Sequence, residues 1–301
     1  MSGLSRQEFI AGAAAFAASP LCATGTTEGS PVVRFGLVAD IHYADREPLV
    51  FKTDQGGVEA RHFRLGVRKL DEAVAAFNAR KLDFAVELGD FKDDSGGREP
   101  TLRHLEEIER SFAKFKGPRY HVMGNHDFDC LKPEEFYART PNDGVVPKRG
   151  YYSFVRAGMT FIVLDGCYTS DFRHYSEGNP WTDANIPPEE FSWFEKTLAA
   201  AQGPVVVFCH QRIDPSAERH HLLKNAADVR AVLEKSGKVK GVFTGHEHGG
   251  GLNRLNGIPY YSLKALVCGE GADENSYAEV AFDRAGSFTV TGFKQATSWK
   301  V

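Results

Sequence analysis

Residue types that bind metals follow short apolar runs at five places in this chain, and this arrangement constrains the fold more than any other feature. The apolar runs predict strands, and several are rich in Val, Ile and Phe without alternation, as in strands buried on both faces. The five runs cover residues 32–39, 83–88, 119–123, 204–209 and 240–244, and a sixth lies at 160–165. Ligand sites in open α/β sheets gather at the carboxyl ends of strands. The polar residues after these strands can therefore face one cavity.

Segments with apolar residues three and four positions apart alternate with the strands and predict helices. They cover residues 61–80, 100–115, 188–201 and 223–236. The C-terminal part instead predicts antiparallel strands at 258–263, 277–283 and 287–294, joined by turns at Gly257 and at residues 284–286. Alternating strands and helices indicate an α/β fold. We expect one domain over residues 31–301.

The first 30 residues differ in composition from the rest of the chain. A short Ala-rich apolar run at 9–21 follows Arg6 and precedes small residues, which predicts an export signal and linker with cleavage after Ala23. The protein would then be periplasmic or extracellular. The alternative is an extension that is not cleaved, with the protein in the cytoplasm. From Pro31 onward no stretch reaches the ~20 apolar residues that span a bilayer, so we expect no membrane association of the mature chain.

The formal net charge of -4 bears on the class of partner. Nucleic-acid binding depends on clustered Lys and Arg that neutralise phosphates, and this charge balance argues against it. A small anionic substrate is easier to accommodate, because metal ions can supply positive charge locally. The oligomeric state stays open at this level.

The five cysteines form no CxxC pair and no zinc-ribbon spacing. A domain of this size needs no disulfide scaffold. We interpret the cysteines as small buried hydrophobic residues rather than as a disulfide framework. They are Cys22, Cys130, Cys167, Cys209 and Cys268.

The first two motifs place carboxylates and an imidazole at strand ends. Asp40 and His42 are separated by one residue and can converge on one ion through oxygen and nitrogen. Asp90 follows Gly89 in a tight turn, from which a carboxylate can bridge two ions. Each motif taken alone also fits an ordinary turn.

The remaining three motifs add amide and imidazole donors. Asn125 offers an amide oxygen, while the adjacent His126 could stand outside the metal shell and protonate a leaving oxygen. His210 alone would more often be a buried structural residue, and only its position after an apolar strand indicates a ligand. His246 and His248 lie on a Gly-rich loop and can address two neighbouring ions.

In chain order, the five motifs resemble those of the calcineurin-like metallophosphoesterases. They are Asp40-Ile41-His42, Gly89-Asp90, Gly124-Asn125-His126-Asp127, His210 and Gly245-His246-Glu247-His248. The resemblance implies a four-layer α/β/β/α sandwich with a dinuclear metal centre at its edge. It implies that one metal is held by Asp40, His42 and His248, that the other is held by Asn125, His210 and His246, and that Asp90 bridges them. His126 would be the general acid or transition-state stabiliser, oriented by Asp93.

The opening motif and residues 61–64 also resemble one branch of that family, the manganese-dependent ADP-ribose/CDP-alcohol diphosphatases. That branch has Gln where this chain has His42. The resemblance implies two divalent ions, manganese first and iron or zinc as alternatives, and hydrolysis of a phosphodiester or nucleoside-diphosphate linkage. The substrate would be a small phosphorylated molecule such as a nucleotide derivative. A phosphomonoesterase or nucleotidase is the alternative enzyme, and a catalytically inactive metal-retaining binding module is the alternative of another class.

Four further residues are candidates for substrate binding. Tyr168 and Trp181 lie in a long aromatic loop and could stack on a nucleobase, although packing of the loop onto the domain explains them equally well. Arg61 and Arg64 could meet substrate phosphates or lie on a solvated helix face.

Overall fold

Two six-stranded sheets form the centre of the protein. A computed structural model describes residues 32–53, 56–145 and 149–301, so the predicted export signal lies outside the described residues. The strands are β1 (Val33–Val38), β2 (Leu49–Lys52), β3 (Val58–Arg61), β4 (Phe84–Glu87), β5 (Arg119–His121), β6 (Tyr152–Arg156), β7 (Met159–Val163), β8 (Val205–Phe208), β9 (Val239–Thr244), β10 (Gly251–Leu255), β11 (Ile258–Ser262), β12 (Ser276–Phe282), β13 (Phe288–Lys294) and β14 (Trp299–Lys300). The α-helices are α1 (Gly66–Arg80), α2 (Arg98–Phe112), α3 (Pro133–Tyr137), α4 (Pro188–Ala200) and α5 (Ala226–Ser236).

The strand order explains why the motif loops emerge together. The first sheet runs β14-β13-β12-β1-β4-β5, the second runs β10-β11-β9-β8-β7-β6, and β2 pairs with β3 as a separate hairpin. In the first sheet β1, β4 and β5 are parallel, with Val38 opposite Glu87 and Glu87 opposite His121. In the second sheet β7, β8 and β9 are parallel, with Phe208 opposite Phe243. Parallel pairing brings the carboxyl ends of neighbouring strands to one edge of each sheet.

Aromatic and aliphatic side chains fill the space between the two sheets. Phe35 of β1 stacks on Phe84 of β4 at 4.8 Å between ring centroids and meets Phe161 and Phe208 of the second sheet edge-on at 5.8 Å. All four rings are fully buried, and burial of each such side chain contributes about 1.5–3 kcal/mol. Helices α1 and α2 cover the outer face of the first sheet, and α4 and α5 cover that of the second. The predicted four-layer α/β/β/α sandwich is confirmed.

The three C-terminal strands were predicted as antiparallel neighbours, but β11 pairs with β9 and β10 in the second sheet while β12 and β13 lie in the first. The other differences from the sequence prediction are at partly or fully exposed strands. Residues 61–80 were predicted as one helix, but β3 ends at Arg61 and α1 begins at Gly66. The β2–β3 hairpin was missed because its side chains are exposed or only partly buried and form no long apolar run. Strands β6 and β10 were missed for the same reason, since apart from the buried Tyr152 their side chains alternate between exposed and partly buried.

Among the described residues the cysteines form no disulfide. Cys167 and Cys209 are buried, as predicted, whereas Cys130 and Cys268 are partly exposed. Cys22 lies outside the described residues. Within the described ranges, every helix is too short or too polar to span a bilayer.

Candidate metal centre

The strand-end motifs bring two groups of metal-binding side chains together. The ligand atoms of Asp40, His42 and His248 lie within 4.8 Å of one another, and so do those of Asp90, His210 and His246. Asp90 connects the groups, because its Oδ2 lies 3.5 Å from His42 Nε2 and 3.2 Å from His210 Nε2. A carboxylate in this position can bridge two ions.

Four of these side chains stand on backbone that non-glycine residues rarely adopt. The φ angles of Asp40, His42, Asp90 and His246 are 52°, 46°, 56° and 68°. Left-handed conformations of this kind cost of order 1–3 kcal/mol each and cluster at functional sites. They turn the chain sharply after the strand, so that the carboxylates and imidazoles face the shared pocket instead of continuing along the sheet.

The first group places nitrogen and oxygen atoms that can bind metals close together. His42 Nε2 and His248 Nε2 are 3.1 Å apart, and His248 Nε2 lies 3.6 Å from Asp40 Oδ1. The opposite nitrogen of each ring is already bonded to a carboxylate. If those nitrogens carry the ring protons, the two facing nitrogens present lone pairs to each other, an arrangement that a shared cation would stabilise.

Three buried atoms, two in the second group and one in the predicted ligand Asn125, have no well-formed hydrogen bond to any described residue, although His210 Nε2 lies 3.2 Å from Asp90 Oδ2. They are Asn125 Oδ1, His210 Nε2 and His246 Nε2. Each such atom costs about 1–3 kcal/mol if nothing satisfies it. A cation would satisfy an amide oxygen and two imidazole nitrogens together, so the residues fit a metal ion. Imidazole, carboxylate and amide donors suit manganese, iron, zinc or cobalt better than calcium.

Hydrogen bonds behind the ligands orient the three histidine rings. His42 Nδ1 bonds Asp93 Oδ2 at 3.2 Å, His210 Nδ1 donates to the Leu88 carbonyl at 2.8 Å, and His248 Nδ1 bonds Glu59 Oε1 at 2.7 Å. Bonds of this kind select the ring nitrogen that faces a metal and increase its basicity. In each ring, Nε2 is thereby the nitrogen left for the metal.

Glu59 is a functional residue that the sequence reasoning missed. It lies on β3, 189 residues before His248, and no short motif connects the two. Burial acts to raise the pKa of Glu59, but the hydrogen bond and charge of His248, with those of Arg61, outweigh it and lower the pKa to about 2. The carboxylate is therefore ionised behind the imidazole of a predicted ligand.

Asp127 ties the second and third motif loops together. Its carboxylate accepts the backbone N–H groups of Gly124 at 2.8 Å, Phe91 at 2.9 Å and Asp90 at 3.2 Å. The approach is close enough that a Cβ on Gly124 would lie 2.1 Å from the Asp90 nitrogen. The glycine is thus required by the packing of the two loops.

His126 lies beside the first group, as expected for a residue that acts on the substrate. Its ring centroid is 4.8 Å from that of His42, and its backbone N–H donates to Asp90 Oδ1 at 2.8 Å. Burial acts to lower the pKa of His126, but the charge of Asp90 and the hydrogen bond to Asp129 outweigh it and raise the pKa to about 9. The imidazolium form is favoured in this environment.

The expected orientation of His126 by Asp93 needs correction. His126 Nδ1 bonds Asp129 Oδ2 at 2.6 Å, whereas Asp93 Oδ2 is 3.8 Å away. Asp93 instead bonds His42 at 3.2 Å and accepts from Arg46 at 2.7 Å. Asp129 was not singled out, although its position three residues after His126 could have indicated it.

A cavity of about 720 Å³ adjoins the loop that carries His246 and His248. Two predicted substrate-binding residues, Arg61 and Trp181, line it. The Trp181 ring lies 5.4 Å from the His246 ring in an edge-on contact. Arg61 pairs with Glu59 at 2.6 Å, which places a cationic side chain beside the metal ligands.

The other two predicted substrate-binding residues are placed elsewhere. Arg64 pairs with Asp45 at 2.5 Å and Glu47 at 2.6 Å on the surface. Tyr168 packs against His174 with ring centroids 4.6 Å apart. Neither is among the described residues that line the cavity, so the geometry gives no support for direct substrate contact by either.

Comparison with known proteins places this geometry in context. Residues 33–250 match the family model described as calcineurin-like phosphoesterase. A protein of Oryza sativa subsp. japonica named manganese-dependent ADP-ribose/CDP-alcohol diphosphatase is 28% identical over 295 residues, covering 84% of this chain and 90% of that protein. An Arabidopsis thaliana protein of the same name is 27% identical over 318 residues, covering 92% and 99%. In fold, the chain resembles the crystal structure of a dimetal phosphatase from Danio rerio, with a TM-score of 0.76, 19% identity, and coverage of 90% of this chain and 99% of that one.

Proposed function

The chain belongs to the calcineurin-like phosphoesterase family, and from that premise we propose that it is a manganese-dependent diphosphatase that cleaves nucleoside-diphosphate derivatives of the ADP-ribose or CDP-alcohol type. As a metallophosphoesterase it is a hydrolase that uses two divalent metal ions. The observation that carries the substrate class is the similarity to two diphosphatases over 84% and 92% of this chain.

The cavity supports a substrate larger than a simple phosphate. Its volume of about 720 Å³ falls within the roughly 300–1,000 Å³ of typical small-molecule sites. Trp181 and Arg61 place an indole ring and a guanidinium on its wall. A nucleoside diphosphate has an aromatic base and a chain of anionic groups, which match these two types of contact.

The proximity of Asp40, His42 and His248, and of Asp90, His210 and His246, supports a proposed set of metal ligands. Asp40, His42 and His248 would hold one ion, Asn125, His210 and His246 the other, and Asp90 both. When bound, the two ions supply a hydroxide nucleophile at neutral pH and positive charge for the phosphoryl oxygens.

The other side chains would position the substrate and transfer a proton. His126 would protonate the leaving oxygen. Because Asp129 occupies His126 Nδ1, Nε2 is the nitrogen left for the substrate. Glu59 and Asp93 would hold the rings of His248 and His42 in place. No covalent enzyme intermediate is required.

A substrate panel tests this proposal. With added manganese, we expect ADP-ribose and CDP-choline to be hydrolysed with a kcat/KM at least tenfold above that of p-nitrophenyl phosphate. The panel also includes bis(p-nitrophenyl) phosphate as a simple diester. A preference for p-nitrophenyl phosphate and mononucleotides would instead indicate a phosphomonoesterase. Two bound metals without turnover of any substrate would indicate a binding module.

A further inference from the structure

A second cluster of metal-binding side chains lies on the cavity wall outside the five family motifs. We propose that Glu218, His220 and His221 bind one further divalent transition-metal ion, in addition to the pair at the metal centre. Their ligand atoms lie within 4.8 Å of one another. All three residues line the same cavity as His246 and His248.

The distances within the cluster match those between ligands of one ion. Glu218 Oε2 lies 2.9 Å from His220 Nε2 and 3.5 Å from His221 Nδ1. Ligand atoms held about 2.1 Å from an ion are roughly 3.0 Å apart in an octahedral site and roughly 3.4 Å apart in a tetrahedral one. One carboxylate oxygen and two imidazole nitrogens are thus placed as three corners of a coordination polyhedron.

An ordinary ion pair accounts for only part of this arrangement. Glu218 lies within ion-pair distance of both His220 and His221, but His221 Nδ1 is buried and makes no hydrogen bond to any described residue. A buried polar atom of this kind indicates a water or an ion. The ion is the better explanation here, because the same carboxylate oxygen lies near both ring nitrogens.

The donor set indicates the class of ion. Two imidazoles and one carboxylate are the protein ligands of many zinc sites that keep an open fourth position. Manganese and iron accept the same donors. The open position would face the cavity, where water or an anionic group could complete the coordination.

The cluster is close to the metal centre but separate from it. The His221 ring centroid is 5.0 Å from that of His246, and Trp181 contacts both rings, at 5.6 Å and 5.4 Å. An ion held by the cluster would add positive charge to the cavity wall beside the metal pair. If the proposed function is right, this charge could contact a second phosphate group of the substrate. The proposal that the cluster binds an ion does not depend on the proposed function.

Metal counting on the full-length, untagged protein tests the inference. After removal of metals with a chelator and dialysis against zinc, elemental analysis should give three ions per chain for the wild type. Glu218→Gln should bind two, because the amide keeps the shape of the side chain and leaves the His221–His246 contact intact. Glu177→Gln is the matched control, since Glu177 is an exposed loop residue outside the cavity, and it should bind three.

Two results would overturn the inference: saturation of the wild type at two ions, or three ions retained by Glu218→Gln. If circular dichroism shows that Glu218→Gln does not fold, His220→Gln replaces it, because that side chain is 34% exposed and tolerates substitution better. The count uses no substrate. Failure of the third site is therefore distinguishable from failure of the proposed diphosphatase activity.

Discussion

Asp129 Oδ2 lies 2.6 Å from Nδ1 of His126, the candidate general acid. The two residues are three positions apart, so the short turn after β5 supplies both the acid and the carboxylate that orients it. Asp93 lies 3.8 Å from the same nitrogen and hydrogen-bonds the metal-ligand candidate His42 instead. Asp129 is therefore placed to orient the candidate acid, and Asp93 is placed to orient a candidate metal ligand.

Asp129→Ala should reduce kcat with CDP-choline roughly 10- to 100-fold, because His126 loses the hydrogen bond that holds its ring for proton transfer. Metal content should not change. Esters of p-nitrophenol should be affected less, since this leaving group departs without protonation. The exposed Asp228 provides the control Asp228→Ala, and an equal loss on both kinds of substrate would contradict the orienting role.

Substitution of the acid and of the bridging ligand should have different effects on metal content. His126→Ala should keep both ions and lose roughly 10²–10⁴-fold in kcat. Asp90→Asn should lose metal and activity together, because its carboxylate faces both ligand groups. Elemental analysis with steady-state kinetics separates the two cases. A metal-replete His126→Ala protein with full activity would remove the acid role.

Gly124→Ala should disturb the metal centre without unfolding the protein. The added Cβ would lie 2.1 Å from the Asp90 nitrogen and 2.4 Å from its Oδ1, so one of the two motif loops must move. A displacement of about 1 Å at a catalytic site can cost 10²-fold in rate, and we expect at least that loss with lower metal affinity. Gly249→Ala, where no atom lies within 4 Å of the new Cβ, should retain metal binding. Equal metal affinity of both variants would refute the explanation.

Lys69→Met should loosen the cavity wall. The buried Lys69 ammonium shares its three N–H groups among four backbone carbonyls at 2.7–3.0 Å, those of Leu266, Cys268, Gly269 and Glu274. Three of those residues line the cavity. Losing these bonds should lower the free energy of unfolding by about 2–4 kcal/mol and raise KM more than it lowers kcat. Denaturant unfolding and steady-state kinetics measure both effects, with Lys116→Met at an exposed site as the control. An unchanged KM would show that other contacts hold the cavity wall in place.

Glu279→Gln should change the pH dependence of stability. Burial acts to raise the pKa of Glu279, but hydrogen bonds from Arg34 and Arg80 outweigh it and hold the pKa below its ordinary value of 4.5. The ionised Glu279 carboxylate therefore stabilises the folded state at pH values above 4.5. This stabilisation is lost as the pH falls through the lower pKa of Glu279 in the folded state.

We expect the Glu279→Gln variant to be less stable by about 1–2 kcal/mol at pH 7, since both arginines are partly exposed to solvent. The difference should shrink as the wild-type carboxyl becomes protonated in acid. Urea unfolding at several pH values measures it. If the difference in stability between wild type and Glu279→Gln stayed constant with pH, the ion pairs would be excluded as its cause. Glu99→Gln, at an exposed ion pair, serves as the control.

The α/β class and the metal-ligand candidates were accessible from local sequence signals. The buried parallel strand β8 is a continuous apolar run, and β4 is apolar except for its last residue Glu87. A candidate ligand, Asp90 or His210, follows each strand within three residues. The exposed hairpin strand β3 has no such run. Its residue Glu59 was missed although it supports His248.

Residue type and order along the chain thus determined the α/β class, the strand ends and the residues available to bind metal, because burial and backbone turns leave a local pattern. The four layers followed from the resemblance to the family. Only the tertiary structure decided which carboxylate bonds which imidazole. It also decided that Arg61 and Trp181 line the cavity while Arg64 and Tyr168 do not. It placed Glu218 beside His220 and His221 on the wall of the same cavity. Contacts of this kind depend on how distant loops pack, and a side chain's partner across the fold has no fixed spacing in sequence.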